Sequence, residues 1–231
     1  MRTSSLAGRV GLFLLELVAP ARCAGCGAGS REPFCESCGA IERAPAEELD
    51  GYPLLTLGRY ASPLREAISR FKFGGHPELA TAFAALLDAE LARLGVEARD
   101  VFVPVPLHVK RLAERGYNQS ALLARALAKR HHARFAPRLL ERTRETEQQA
   151  RLSRESRSEN VAHAFRVRGA SREVAMSGRV ILVDDVVTTG ATLSACLTAL
   201  DARGVKVLGV IALARAGTPE PEGRSRRASP G

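Results

Sequence analysis

The sequence predicts an α/β protein: a mostly parallel sheet flanked by helices, preceded by a small four-cysteine ribbon. Three observations carry this. Candidate strands at 54–60, 101–103, 180–183 and 205–213 alternate with helical patterns, which is the order of a parallel sheet with helical crossovers. Val101–Val103 and Val180–Val183 are apolar at every position, as strands covered on both faces must be. Four of the five cysteines fall in two C-x2-C pairs, Cys23/Cys26 and Cys35/Cys38.

Taken in order, the chain starts with Arg2, Arg9 and the apolar run Val10–Leu15, which Glu16 interrupts. That run is too short for a convincing secretory signal. It reads as an amphipathic helix with Leu6, Val10, Phe13, Leu14 and Leu17 on one face. No apolar run approaches the ~20 residues of a membrane span.

Each cysteine pair is followed by glycine, Gly27 and Gly39. Glycine permits the positive φ that turns backbone N–H groups toward sulfur. Two such knuckles give four thiolates converging on one ion, a closed structural zinc site. Two disulfides are the alternative. A reducing cytosol and the weak signal favour zinc, and place the protein in the cytoplasm. Cys196 stands alone and reads as a small buried residue.

Past the ribbon, Ser62-Pro63 opens a helix with Leu64, Ile68 and Phe71 at helical spacing, ended by Gly74-Gly75. Pro77–Leu94 reads as one long Ala/Leu helix stopped by Gly95. After the strand at 101–103, Pro104-Val105-Pro106 breaks the pattern, and Asn118 or Ser120 caps a helix to about Arg130. Residues 138–158 lack a clean period and read as a loop or frayed helix; Ala164–Val167 fits a short strand. Thr192–Ala202 is helical, closed by Gly204. From Gly217 the polar, proline-bearing tail is expected to be disordered. The expected division is a ribbon with its leading helix over 1–50, an α/β domain over 51–215 and a basic tail over 216–231.

The 231 residues carry a net charge of +9, which suits a polyanionic partner. That charge is local: residues 110–157 hold 13 basic and 5 acidic side chains. The stretch is either a solvated Arg-rich face or a mouth that holds phosphates. Aromatics are 5% with no Trp, so base-stacking platforms are poorly supplied.

The chemistry concentrates at residues 180–192, Val-Ile-Leu-Val-Asp-Asp-Val-Val-Thr-Thr-Gly-Ala-Thr. A buried strand delivers Asp184 and Asp185 to the sheet edge, where ligands of such folds bind. A small-residue turn, Thr188, Thr189, Gly190, Ala191 and Thr192, then opens a helix. Its N–H groups and hydroxyls suit a phosphate monoester. The adjacent carboxylates suit the hydroxyls of a ribose, or a Mg²⁺ arriving with the ligand.

This run resembles the signature of type I phosphoribosyltransferases, which bind phosphoribosyl pyrophosphate. With the cysteine knuckles, the chain resembles the ComF family. Phe71–Gly75 is similar to that family's Lys-Phe-x-Gly element, and Val103–His108 to its Pro-Val-Pro block. Arg111 and Arg115–Ser120 resemble its Arg-Gly-Tyr-Asn-Gln block; Arg142, Arg144, Thr146, Gln149, Leu152, Arg157 and Asn160-Val161 resemble the next stretch. The resemblance runs from about residue 12 to 215 and implies a type I phosphoribosyltransferase-like fold. It also implies a pyrophosphate-holding loop at Pro104–His108, with Val105 and Pro106 at its centre. Two prolines remove backbone donors there, so Arg111 and Arg115 are expected to supply positive charge, with Lys72 as a further cation or a solvated helix end. His108 could assist proton transfer or merely cap. Tyr117, Asn118 and Gln119 could read an acceptor or hold the loop, and Arg142–Asn160 could cover phosphates or be a plain loop. The family's role in natural transformation adds single-stranded DNA and competence proteins as expected partners. Three readings stay open: a transferase acting on a nitrogen acceptor, a ligand sensor without turnover, and a DNA-uptake accessory.

Overall fold

The computed structural model describes residues 22–142, 164–168 and 178–217. The expected N-terminal helix, the Arg142–Asn160 cover beyond Arg142 and the tail from 218 lie outside these residues. In chain order, a 3-10 turn at Glu36–Cys38 precedes the hairpin β1 (Glu47–Leu49) and β2 (Tyr52–Arg59). Next come α1 (Leu64–Phe73), α2 (Leu79–Leu86), α3 (Asp88–Leu94), β3 (Val101–Pro104), α4 (Val109–Arg115) and α5 (Gln119–Arg130). The remainder is β4 (Arg134–Phe135), β5 (Leu140–Arg142), β6 (Phe165–Val167), β7 (Val180–Val183), β8 (Val186–Val187), α6 (Ala191–Asp201) and β9 (Val207–Arg215).

The main sheet runs β1-β2-β9-β7-β3-β4, with β8 beside the end of β9. Every pair is parallel except β1–β2. β5 and β6 form a separate antiparallel pair. The expected two-sided burial is visible within single strands. Ile181 and Val183 of β7 join one hydrophobic cluster with Leu64, Ile68, Phe71, Phe83, Leu91 and Leu127 of the helices. Val180 and Leu182 join a second cluster on the other face, with Leu193, Cys196 and Leu197 of α6. Cys196 is a fully buried member of that second core.

Two devices set where the strand ends lie. Asp100, wholly buried, is gripped by Arg179, with Nε at 3.1 Å from Oδ1 and Nη2 at 2.8 Å from Oδ2. This clamp joins the chain just ahead of β3 and β7 and fixes their register, Pro104 opposite Val183. The two motif-bearing strands therefore stop at the same edge. At the other flank, Cys23, Ala24 and Phe34 of the ribbon pack in the same cluster as Ala67, Ile68 and Phe71 of α1, so the first knuckle rests on that helix.

The elements differ from expectation in several places, one being β5 (Leu140–Arg142), a strand paired with β6 at the start of the 138–158 stretch expected to be a loop or frayed helix. The long helix over 77–94 is two helices meeting at Leu87, although Leu87 N to Phe83 O (3.1 Å) and Leu91 N to Leu87 O (2.9 Å) carry helical bonding through the junction. α4 has no buried residue, so it lacks the apolar stripe that makes a helix readable. β1 and β4 are three and two residues long, below the length at which alternation is a signal.

Candidate functional site

β7 ends at Val183, and the chain does not leave the sheet at once. Asp184 N donates to Ile211 O (3.0 Å), and Asp185 O accepts from Leu213 N (3.0 Å). Val186 and Val187 then pair with Ala214 and Arg215 as β8. The two carboxylates are thus carried on paired backbone. Asp184 Oδ1 accepts from Ser120 Oγ (3.0 Å) and from Asp185 N (2.8 Å). Removal from water, reinforced by the Asp185 charge, pushes Asp184 up to about 7. Asp185 is buried, and its Oδ1 lies 2.7 Å from Lys72 Nζ. Lys72 is therefore a half-buried ion-pair partner of Asp185 and not a solvated helix end.

The turn that follows exposes Thr188, Thr189, Ala191 and Thr192 around a buried Gly190. Gly190 has φ +85°, and a Cβ there would come 2.9 Å from Leu49 Cδ1. The left-handed φ favours glycine, and the Leu49 methyl would have to move to admit a side chain. Thr189 Oγ1 accepts from Ala191 N (3.4 Å). Arg215 ties the turn to the edge hairpin: its Nη1 donates to Thr188 O, and its Nε pairs with Glu47 Oε2 at 2.9 Å. The first-turn N–H groups of α6, which a helix leaves without intrahelical partners, open at this turn.

On the facing side, Val105 N donates to Val183 O (2.9 Å), and Val105 O accepts from Asn118 Nδ2 (3.0 Å). Asn118 also caps α5, its side chain accepting from Ala121 N. Gln119, fully buried, donates to Lys72 O (3.4 Å) and accepts from Arg115 Nη1 (3.1 Å). Arg115 lies over the Phe73 ring, 4.5 Å from its centroid. Tyr117 OH donates to Phe71 O (2.5 Å). The Phe71–Phe73, Val105, Arg115–Ser120 and Asp184–Asp185 segments, remote in sequence, are one hydrogen-bonded assembly. Pro106 is half-buried beside Val105, Arg111 is exposed on α4, and His108 Nδ1 accepts from Lys110 N (3.3 Å) as the cap of α4.

The four cysteine Sγ atoms lie within 4.8 Å of one another. A tetrahedral Zn–S length of about 2.3 Å gives S–S edges of about 3.8 Å; Cys26 and Cys35 Sγ are 3.7 Å apart. The set fits zinc, and that spacing is far longer than a disulfide. Cys38 is pushed up to about 12 by burial and bonds to neighbouring thiols. Cys23 is held near 6 because backbone N–H groups, Cys35 N at 3.3 Å first among them, outweigh its burial.

Sequence reasoning missed Ser120 as a partner of Asp184, Gln119 as a buried bridge and Leu49 as the floor of the Gly190 turn. The Arg-Gly-Tyr-Asn-Gln-Ser run signalled the first two; Leu49 had no signal.

The phosphoribosyl transferase domain family matches residues 120–226. Competence protein F of Haemophilus influenzae is 32% identical over 208 residues, covering 84% of this chain and 90% of that protein. The chain belongs to the ComF family. Two further relatives bear on this. DNA utilization protein YhgH of Escherichia coli K12 is 36% identical over 167 residues, 70% of this chain and 71% of that protein. Competence protein ComFC of Bacillus subtilis is 33% identical over 135 residues, 58% of this chain and 52% of that protein. The ComF assignment agrees with the phosphoribosyltransferase-type sheet and the four-cysteine cluster. Among the described residues no helix is long and apolar enough to cross a membrane.

Proposed function

We propose that this ComF protein binds Mg²⁺·phosphoribosyl pyrophosphate at the β3/β7 edge and transfers the phosphoribosyl group to a nitrogen acceptor. One observation carries the reading: Asp184 and Asp185 sit on paired backbone, met by Ser120 and Lys72, immediately before the Gly190 turn and the N-terminus of α6. The turn, Thr188–Thr192, takes the 5′-phosphate. Asp184 and Asp185 take the ribose hydroxyls. Val105, Pro106, Lys72, Arg111 and Arg115 face the pyrophosphate. Mg²⁺, held through the ligand and the two aspartates, would neutralise charge on the departing pyrophosphate. In the transfer the acceptor nitrogen forms a bond to the anomeric carbon while the bond from that carbon to the pyrophosphate oxygen breaks. The cations stabilise the charge that leaves. His108 is a candidate for taking the acceptor proton, and its cap contact must open for that.

Calorimetry with Mg²⁺·phosphoribosyl pyrophosphate, followed by pyrophosphate release over candidate nitrogen bases, tests this. Heat of binding and acceptor-dependent release are expected. No heat overturns the ligand site; binding with no release for any acceptor reduces the protein to a sensor.

The names of the relatives favour a second reading, a cytoplasmic DNA-handling role in competence with single-stranded DNA or competence proteins as partners. The basic stretch 110–157 would carry it. Affinity for a single strand that falls with salt and survives Asp184→Ala with Asp185→Ala would place that role apart from the ribose site.

A further inference from the structure

The last turn of α1 touches both the cysteine cluster and the ligand site. Arg70 Nη1 donates to three carbonyls of the first knuckle: Cys23 at 3.1 Å, Ala24 at 2.7 Å and Gly25 at 2.7 Å. Its guanidinium fills the inside of the turn, where a Cβ on Gly27 would come 3.2 Å from Arg70 Nη2. The knuckle also abuts the other end of the helix, since a Cβ on Gly25 would lie 2.9 Å from Pro63 Cβ and 3.0 Å from Cys38 Sγ. One residue after Arg70, the Phe71 carbonyl accepts from Tyr117 OH. Two residues after it, Lys72 reaches Asp185 at 2.7 Å. Residues 70 and 72 are separated by about 3 Å of helix rise, so a single turn of backbone joins the two sites.

We infer that Arg70 is a positioning residue through which zinc at Cys23, Cys26, Cys35 and Cys38 and a ligand at Asp184/Asp185 bind with positive coupling. When four Zn–S bonds fix the knuckle, its three carbonyls pin Arg70, and the pinned turn holds Lys72 in reach of Asp185. Loosening the knuckle gives Arg70 mobile acceptors. The turn, which Gly74 N to Arg70 O caps and Tyr117 and Gln119 hold from the other side, then loses its anchor on the knuckle side, and Lys72 is less firmly held. By linkage the effect is reciprocal: a ligand that engages Lys72 or Asp185 must strengthen zinc retention by the same factor. Partners outside the ligand shell commonly change metal affinity by about 10- to 100-fold, and site-to-site coupling runs at about 5- to 150-fold.

The coupling rests on the ligand site proposed above, and the test separates the two. The zinc affinity of the full chain is measured at equilibrium by competition with a zinc-selective chelator, Mg²⁺ being present throughout, with and without phosphoribosyl pyrophosphate. Calorimetry on the same material reports ligand binding. The expected result is zinc affinity raised about fivefold or more by the ligand in the wild type. In Arg70→Ala zinc still binds, but its affinity no longer responds to the ligand. Arg70→Lys, which keeps the cation but not the three-carbonyl reach, gives a reduced response and serves if the alanine variant does not fold. Ligand heat in the wild type with unchanged zinc affinity overturns the coupling alone, and an undiminished response in either variant overturns the role of Arg70. No ligand heat overturns the ligand site and the coupling with it.

Discussion

Replacing Lys72 with methionine tests the centre of the site. Lys72 Nζ and Asp185 Oδ1 are 2.7 Å apart, and the two side chains retain only 15% and 13% of their exposure. At an effective dielectric of about 20, a pair at that distance attracts by about 6 kcal/mol. Desolvating both ions offsets most of this, so the net worth of the pair is small. Removing one partner is different, because it leaves Asp185 desolvated and alone, at a cost of about 3–5 kcal/mol. For a chain of this size that lowers Tm by roughly 6–20 °C. Lys72→Met with Asp185→Asn removes both charges and should recover more than half of the loss. The assay is urea unfolding of the four species of the cycle at saturating zinc, so that metal linkage is constant. A loss below about 0.5 kcal/mol for Lys72→Met, or additivity within about 0.5 kcal/mol across the cycle, would refute the argument that this is a desolvated, mutually dependent pair.

Two further outcomes are expected. Gly190→Ala forces a left-handed residue and a 2.9 Å approach to Leu49, so it should cost roughly 1–3 kcal/mol and abolish binding of phosphoribosyl pyrophosphate; unchanged calorimetric affinity would show that the turn is not the phosphate cradle. Asp184, pushed up to about 7, holds a proton in the folded protein that the unfolded chain has lost, so its contribution to stability is fully present below about pH 4. That contribution is lost as pH rises toward 7, while Mg²⁺, which needs the carboxylate, binds with proton release near neutrality. Calorimetry at pH 6.5 in buffers of different ionisation enthalpy should detect that proton in the wild type and not in Asp184→Asn; its absence in the wild type would contradict the assignment.

What the sequence showed and what it hid divide along locality. The Asp184–Thr192 cradle was legible because its parts are consecutive: an apolar strand, two carboxylates, a small-residue turn and a helix start are contiguous in the chain. The cysteine knuckles were legible for the same reason. The Lys72–Asp185 pair spans 113 positions by the numbering, and no periodicity links a residue at a helix end to a strand terminus. α4 was invisible because it buries nothing. The basic stretch was ambiguous because it serves several purposes. Arg125, Lys129 and Arg130 lie exposed on α5, where Arg130 pairs with Asp88, whereas Arg115 is held by Gln119 and Phe73 beside the site.

The same division explains why a strong local motif does not by itself make a binding site. A helix N-terminus offers donors, but the donors converge on a phosphate only if the turn before them is held still. In this fold the holding groups come from elsewhere: Leu49 lies where a Gly190 side chain would go, and Glu47 orients Arg215 against the Thr188 carbonyl. Leu49 and Glu47 belong to β1 at the edge of the main sheet, and Arg215 to the last residue of β9 within it. On the opposite side, Asn118 fixes Val105 and Ser120 fixes Asp184, both from the start of α5. The cradle is therefore clamped between a hairpin that precedes it by about 140 residues and a helix that precedes it by about 70. The proposed ligand site is a property of the whole sheet edge, and a chain carrying residues 180–192 without these two supports would retain the signature and lose the preorganisation that binding needs.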